Sequence, residues 1–412
     1  MIYPRNFYTG KIYFALQSLP IVILIGARQV GKTTILENLV IPETKINLNG
    51  QYPETAEIFQ KFSNLESYLE INLNKNIEGY LLIDEFQFIP GISTMLKLLV
   101  DKYKNLKILC TGSSSLDILQ KVDESLAGRV RVIEVFPLSF EEYLMFTNKK
   151  LYNLFKKYNL NTKDEVVDKQ LTIVLGQYLL YGGLPRVVLA GSIAEKMELL
   201  DDIYRTYLLR DVRSYIKNED TVGFNKLLKL LAAQIGSLVN INELSNSTGL
   251  SYKKSEEYLS LLEQMYIIKL LEPFLTNKRK VVSKMRKVYF SDTGLRNLIY
   301  GSFNDMNIRT DAGNIFENYV FTELKLKLGK TGMLNFYRTQ DGTEVDFIAN
   351  NLYETITLEV KNKDIKNPIF MRNLASLNEI SNISRSYLIN RTLNTQHYGI
   401  HFIQGYFVPK II

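Results

Sequence analysis

The chain has 412 residues, enough for two to four domains that each bury a core, and its 46% hydrophobic and 23% charged residues exclude a disordered or fibrous polymer. A count of 50 Lys and Arg against 43 Asp and Glu leaves a net charge of +7, which permits a nucleic-acid partner without requiring one. The apolar runs are too short to span a bilayer, Met1 to Asn6 show no basic-then-apolar leader, and the lone Cys110 excludes an internal disulfide framework, so a reducing cytoplasm without a membrane partner is expected.

The run 21–25 reads as a strand and is followed by Gly26, Ala27, Arg28, Gln29, Val30, Gly31, Lys32, Thr33 and Thr34, which fit the pattern G-x-x-x-x-G-K-[ST]. Such a loop lets backbone N–H groups converge on phosphate oxygens, while Lys32 adds a mobile positive charge and Thr33 offers its hydroxyl to Mg2+ at a helix N-terminus. ATP, or another nucleoside triphosphate, and Mg2+ are therefore the expected cofactors. The run 80–83 delivers Asp84 and Glu85. Asp84 is placed to hold Mg2+ through water, and Glu85, on the opposite side by the strand period of two, is placed to polarise an attacking water.

Runs 45–48, 106–111 and 130–136 complete five buried strands of a parallel sheet, with stretches between them long enough for crossover helices. Residues 1–140 thus read as an α/β nucleotide-binding core, and 111–115, which include Ser113, put hydroxyls where a γ-phosphate or lytic water is sensed. Residues 141–220 read as a helical lid. It is interrupted at Gly182, Gly183 and Pro185, a bend that packs against a base or simply joins two helices.

In 221–300 three helical segments, 224–236, 242–248 and 252–265, precede β-like segments at 267–271 and 287–291, an order that resembles a winged helix. Tyr252, Lys253 and Lys254 open its third helix. Between 276 and 287 lie Lys278, Arg279, Lys280, Lys284, Arg286 and Lys287 with no acidic residue, a patch suited to DNA; the alternative is a protein-interaction or oligomer module.

Residues 301–412 hold a second set. Helix 313–328 carries Glu317, run 343–348 carries Asp346, and run 356–360 closes on Glu359 and Lys361 after a turn at Asn350 and Asn351. Asp346 and Glu359 are suited to binding Mg2+, Lys361 to orienting a nucleophile and Glu317 to completing the shell, the parts of metal-assisted phosphodiester hydrolysis; the alternative is a surface ion pair. His397 and His401, four apart in a strand, have poor geometry for zinc.

Together these motifs resemble a large prokaryotic family of AAA-plus ATPases whose C-terminal half is related to the PD-(D/E)xK nucleases. The resemblance implies a P-loop parallel-sheet core, a helical lid, a winged-helix module and a restriction-endonuclease-like α/β domain at 301–412. It also implies that Arg129 reads the γ-phosphate, within the subunit or across to a neighbour in a homo-oligomer, and that Gly183 and Pro185 border the adenine. Val345 stands where the nuclease pattern usually has proline. The reading is an Mg2+-dependent ATPase that engages DNA; its rival is a nucleotide-controlled scaffold or transcription regulator with an inactive nuclease-like domain.

Overall fold

Apolar residues fill consecutive positions in the runs 21–25, 80–83 and 108–110, as strands buried on both faces require, while the edge runs 45–49 and 130–134 are interrupted by polar residues; in the computed structural model all five strands pair in parallel. The structure describes residues 4–41, 44–113, 126–160, 162, 164–211, 215–274, 285–339, 342–369, 371–374 and 383–411, the side chains of 209–211 excepted. The chain divides into two units, Met1–Phe136 with Gln264–Tyr266, and Pro137–Glu263 with Ile267–Ile412.

The first unit runs α1 (Asn6–Ser18), β1 (Ile21–Ile25), α2 (Lys32–Glu37), β2 (Lys45–Asn49), α3 (Pro53–Ile58), α4 (Phe62–Asn72), β3 (Gly79–Asp84), α5 (Ile92–Lys102), β4 (Leu106–Gly112) and β5 (Val130–Glu134). Its sheet has the order β2-β3-β4-β1-β5. Strand β4 lies between β1 and β3, with Ile25 opposite Gly112 and Ile83 opposite Cys110. That insertion brings the loop after β1, the end of β4 and the acidic end of β3 to one edge of the sheet, the C-terminal edge where α/β proteins hold ligands. Cys110 is buried within β4, where burial pushes its thiol well above the ordinary range.

The second unit continues with α6 (Phe140–Thr147), α7 (Lys149–Lys157), α8 (Glu165–Tyr181), α9 (Pro185–Val188), α10 (Ile193–Ile203), α11 (Thr221–Ala233), α12 (Ile241–Thr248), α13 (Tyr252–Gln264), β6 (Ile268–Leu271), β7 (Lys287–Phe290), α14 (Thr293–Tyr300) and α15 (Ala312–Leu328). Strands β8 (Met333–Arg338), β9 (Glu344–Asn350), β10 (Thr355–Val360), β11 (Arg385–Asn390), β12 (Thr395–His397) and β13 (Ile400–Gln404) complete it. β6 and β7 pair antiparallel, and the last six strands form one sheet ordered β12-β13-β11-β10-β9-β8. β8, β9 and β10 are antiparallel neighbours, whereas β11 and β13 run parallel to β10. Val345, Ile348, Leu388, Ile400 and Phe402 build a core with Leu374, while α15 packs on β8, β9 and β10.

Lid, helical module and C-terminal domain, read from the sequence as separate, fall within this one unit because buried polar side chains tie them together. Asp292 caps α14 by accepting the Leu295 N–H at 2.9 Å and also accepts the Gly183 N–H at 2.7 Å, so it holds the bend after α8. Gly294 has to be glycine at this crossing, since a Cβ there would stand 2.1 Å from the Tyr181 carbonyl oxygen. Asn318 of α15 accepts the Phe290 N–H at 2.7 Å and donates to its carbonyl at 2.9 Å. Buried amides of this kind fix register, because leaving one unmade costs about 1–3 kcal/mol.

Glu323 of α15 is buried and accepts the Phe140 N–H at the start of α6 at 2.6 Å. Burial pushes its carboxyl up to about 8, against the pull of that N–H. The folded value exceeds the unfolded one, so the contribution is full at low pH and is lost as pH rises through about 8. Glu323→Gln removes this titration: the variant's thermal midpoint gains on the parent's between about pH 5 and pH 9, and parallel curves would refute the burial effect.

Candidate active site

The loop after β1 owes its shape to three backbone conformations. Gly26 has φ +146° and no room for a Cβ, which would meet the Val135 carbonyl oxygen at 2.2 Å; Gln29 and Gly31 are left-handed, at φ 63° and 91°. A left-handed glutamine stores about 1–3 kcal/mol, offset by the surroundings. Arg5 is part of those surroundings. Buried at the start of α1, it donates to the Val30 carbonyl at 2.8 Å and to the Phe136 carbonyl at 3.0 Å, with its guanidinium 4.5 Å from the Tyr8 ring centroid.

Lys32 is 5% exposed, and its ammonium donates to the Gly26 and Ala27 carbonyls at 3.0 and 2.8 Å. Burial lowers it to about 8, while Glu85 and Asp84 pull it back up. The Thr33 hydroxyl lies 3.0 and 3.1 Å from the two carboxylate oxygens of Asp84. Thr111 of β4 donates to the same carboxylate and accepts the Glu85 N–H at 3.1 Å. Beside this group opens a cleft of about 740 Å³ lined by Thr33, Asn47, Asn49, Tyr52, Tyr68 and Asp84.

Glu85 departs from the expectation of strand alternation. β3 ends at Asp84, and Glu85 turns into the left-handed region at φ 50°, so its direction comes from the turn. Its carboxylate accepts the Gln87 amide at 2.5 Å, and that amide also lies 3.3 Å from the Ser113 hydroxyl. Arg129 lies at the other edge of the sheet: its carbonyl accepts the Ile21 N–H, and its guanidinium pairs with Asp101 at 2.7 and 3.1 Å. Five strand residues span about 16 Å, more than an arginine side chain reaches, so in this conformation the Arg129 guanidinium does not reach the loop after β1. Arg28 and Thr34 belong to the same loop and first turn. Gly183 and Pro185 lie in the second unit, where Asp292 and Leu138 hold the Gly183 backbone.

The second unit brings Glu317, Asp346, Glu359 and Lys361 together. The Asp346 carboxylate accepts the Val360 N–H at 2.8 Å across the β9–β10 hairpin, and Lys361 pairs with Glu359 at 2.6 Å. The sequence reading placed Lys287 in an exposed basic patch, and the structure corrects this. Lys287 is 3% exposed, and its ammonium stands 2.7 Å from Glu344, 3.2 Å from Glu317 and 3.9 Å from Asp346. Tyr289 also donates to Glu317, at 2.6 Å. Burial raises the carboxyls of Glu317, Asp346 and Glu359, and for Glu317 and Glu359 the charge of Asp346 adds to it.

The fit to the divalent cation of a nuclease is poor. Among the described residues no group of three or more His, Cys, Asp or Glu is arranged to hold a metal ion. His397 and His401 sit on the facing strands β12 and β13 rather than on one strand. Of the residues assigned to DNA, Tyr252 is exposed, Lys253 faces Glu257 at 3.9 Å, and Lys254 is tied to Asp220 at 2.7 Å and Glu219 at 3.2 Å. Lys278, Arg279, Lys280 and Lys284 lie outside the described residues, and Arg286 faces Glu272 at 3.7 Å.

The first unit is a P-loop ATPase core: residues 18–144 match the family described as AAA domain. Residues 174–305 and 312–406 match two families described as domains of unknown function, DUF8612 and DUF4143. The chain belongs to the same family as the uncharacterized protein MJ1544 of Methanocaldococcus jannaschii, to which it is 30% identical over 334 residues, 79% of this chain and 71% of that protein. An uncharacterized protein of Haemophilus influenzae is 27% identical over 359 residues, 82% of this chain and 81% of its own length. A solved structure titled the Walker-type ATPase PABY2304 of Pyrococcus abyssi overlays with a TM-score of 0.48 at 17% identity, covering 72% of this chain and 96% of that one. No helix among the described residues is long and apolar enough to cross a membrane.

With Lys32 lowered to about 8, the free protein loses the ammonium above that pH, and an anion that needs it loses affinity. Nucleotide affinity is expected to be flat below about pH 7.5 and to fall by up to about tenfold per pH unit above about 8.5, which calorimetry would measure; a flat profile throughout would place the phosphates elsewhere.

Proposed function

We propose that this protein is an Mg·ATP-hydrolysing switch whose second unit engages DNA. The observation that carries the first half is the convergence of Lys32, Thr33, Asp84 and Glu85 at one sheet edge. Lys32 holds the β- and γ-phosphate oxygens, and backbone N–H groups of Gly26 to Thr34 surround them. Thr33 and Asp84 are the residues that would hold Mg2+, which would supply neutralisation of charge on the transferring phosphoryl group. Glu85 orients the attacking water and takes its proton. Ser113 supports that carboxylate through the shared Gln87 amide, and Arg129, held by Asp101 away from this loop, reads the γ-phosphate of a neighbouring subunit.

Support for the second half is topological. Helices α11, α12 and α13 followed by the β6–β7 pair are in the order of a winged helix, and Tyr252 and Lys253 stand exposed at the front of α13. Lys254 is tied to Asp220 and Glu219, which leaves Tyr252 and Lys253 as the more exposed groups at this helix front. In the C-terminal part, helix α15 against the β8-β9-β10 sheet, with Asp346 and Glu359 on adjacent strands, favours the nuclease-like fold. Lys287 within that cluster favours a domain that binds without cutting.

Glu85→Gln is expected to keep Mg·ATP affinity and lose turnover by about 10²-fold or more, whereas Lys32→Ala loses binding. Hydrolysis unchanged in Glu85→Gln would remove it from the mechanism. For DNA, Lys253→Glu should weaken binding to duplexes of any sequence and lower the salt slope by about 1 or 2. Titrations of the parent that detect no salt-dependent binding would leave the ATPase and reject the DNA partner.

A further inference from the structure

We propose that the ammonium of Lys287 takes the place of the divalent cation in the carboxylate cluster of the second unit, so that this cluster is closed to metal and does not hydrolyse phosphodiesters. The inference rests on the nuclease-like reading of residues 312–406 and is independent of the ATPase reading.

The geometry is that of a filled site. Lys287 enters from β7, outside the nuclease-like segment, and reaches Glu344 at 2.7 Å and Glu317 at 3.2 Å, ordinary distances for an ammonium donating to carboxylates. Asp346 stands 3.9 Å away on the same cation. Mg2+ demands oxygens at about 2.0–2.1 Å in octahedral array, and Glu317, Glu344 and Asp346 already surround the Lys287 nitrogen with their oxygens. Other donors use further lone pairs: Tyr289 on Glu317, the Val360 N–H on Asp346 and Lys361 on Glu359.

Charge and space both resist exchange. A metal ion entering between Asp346 and Glu359 would stand near the ammonium groups of Lys361 and Lys287, and Lys287 is only 3% exposed. Among the described residues the second carboxylate oxygen of Glu359 has no hydrogen-bond partner, and with Lys287 removed the freed oxygens of Glu317 and Asp346 would join it as acceptors for a cation. The site is therefore latent: its carboxylates are in place, and one side chain closes it.

Mn2+ uptake by the nucleotide-free full chain, followed by calorimetry, tests this. The parent, Asp346→Asn and Glu359→Gln are expected to take up the same amount, since none uses the cluster; Lys287→Ala gains one further Mn2+, and Lys287→Ala with Asp346→Asn loses it again. Parent uptake that drops in Asp346→Asn or Glu359→Gln would overturn the proposal, as would a folded Lys287→Ala with no gain. Lys287→Met, which keeps the stem, replaces alanine if that variant does not fold, and the parent comparison decides if neither does. ATP turnover measured alongside reports on the other unit, so failure of one reading is distinguishable from failure of the other.

Discussion

An ammonium group taken out of water needs oxygen around it, and the kind of oxygen decides what the group does next. Lys32 is surrounded by the carbonyls of Gly26 and Ala27, which hold it without cancelling its charge, so burial wins and its proton becomes labile near neutral pH. Lys287 is surrounded by the carboxylates of Glu317, Glu344 and Asp346, whose charges together outweigh burial and fix the proton. The first lysine is poised for an anion brought from outside. The second has its anions within the fold.

Around Lys32 the sheet order does most of the positioning. Because β4 is inserted between β1 and β3, the Thr111 hydroxyl reaches both the Asp84 carboxylate and the Glu85 backbone, and Ser113 sits within reach of Gln87. Two non-glycine residues in the left-handed region, Gln29 and Glu85, lie on either side of this centre. Strain of that kind persists only where neighbours over-determine it, and Arg5 on the Val30 carbonyl is one such neighbour.

Much of this arrangement was legible in order. The loop 26–34, the acidic strand end and the five apolar runs announce themselves because strand burial and phosphate binding impose local patterns, and the helices at 241–248 and 252–264 fall within a residue or two of where caps and periodicity put them. Single charged residues were not legible. Lys254 and Lys287 read as surface cations, but one is tied to Asp220 and the other is buried among carboxylates that come from strands and a helix far along the chain. Arg5 carries no motif of its own; it gains its role from the Val30 and Phe136 carbonyls, which only folding brings near. Arg129, read from its motif as sensing the γ-phosphate within the subunit or across to a neighbour, pairs with Asp101 beyond the start of β1.

Sequence alone determined the parts whose residues are close along the chain, a phosphate loop and a strand ending in two acids, because each depends on spacing within a few residues of backbone. Tertiary structure decided what the parts face. Whether a lysine meets a carbonyl, a carboxylate or water depends on segments tens to hundreds of residues apart, and since charge and solvation act through space, that is where the difference between an open phosphate site and a carboxylate cluster filled by its own lysine is set.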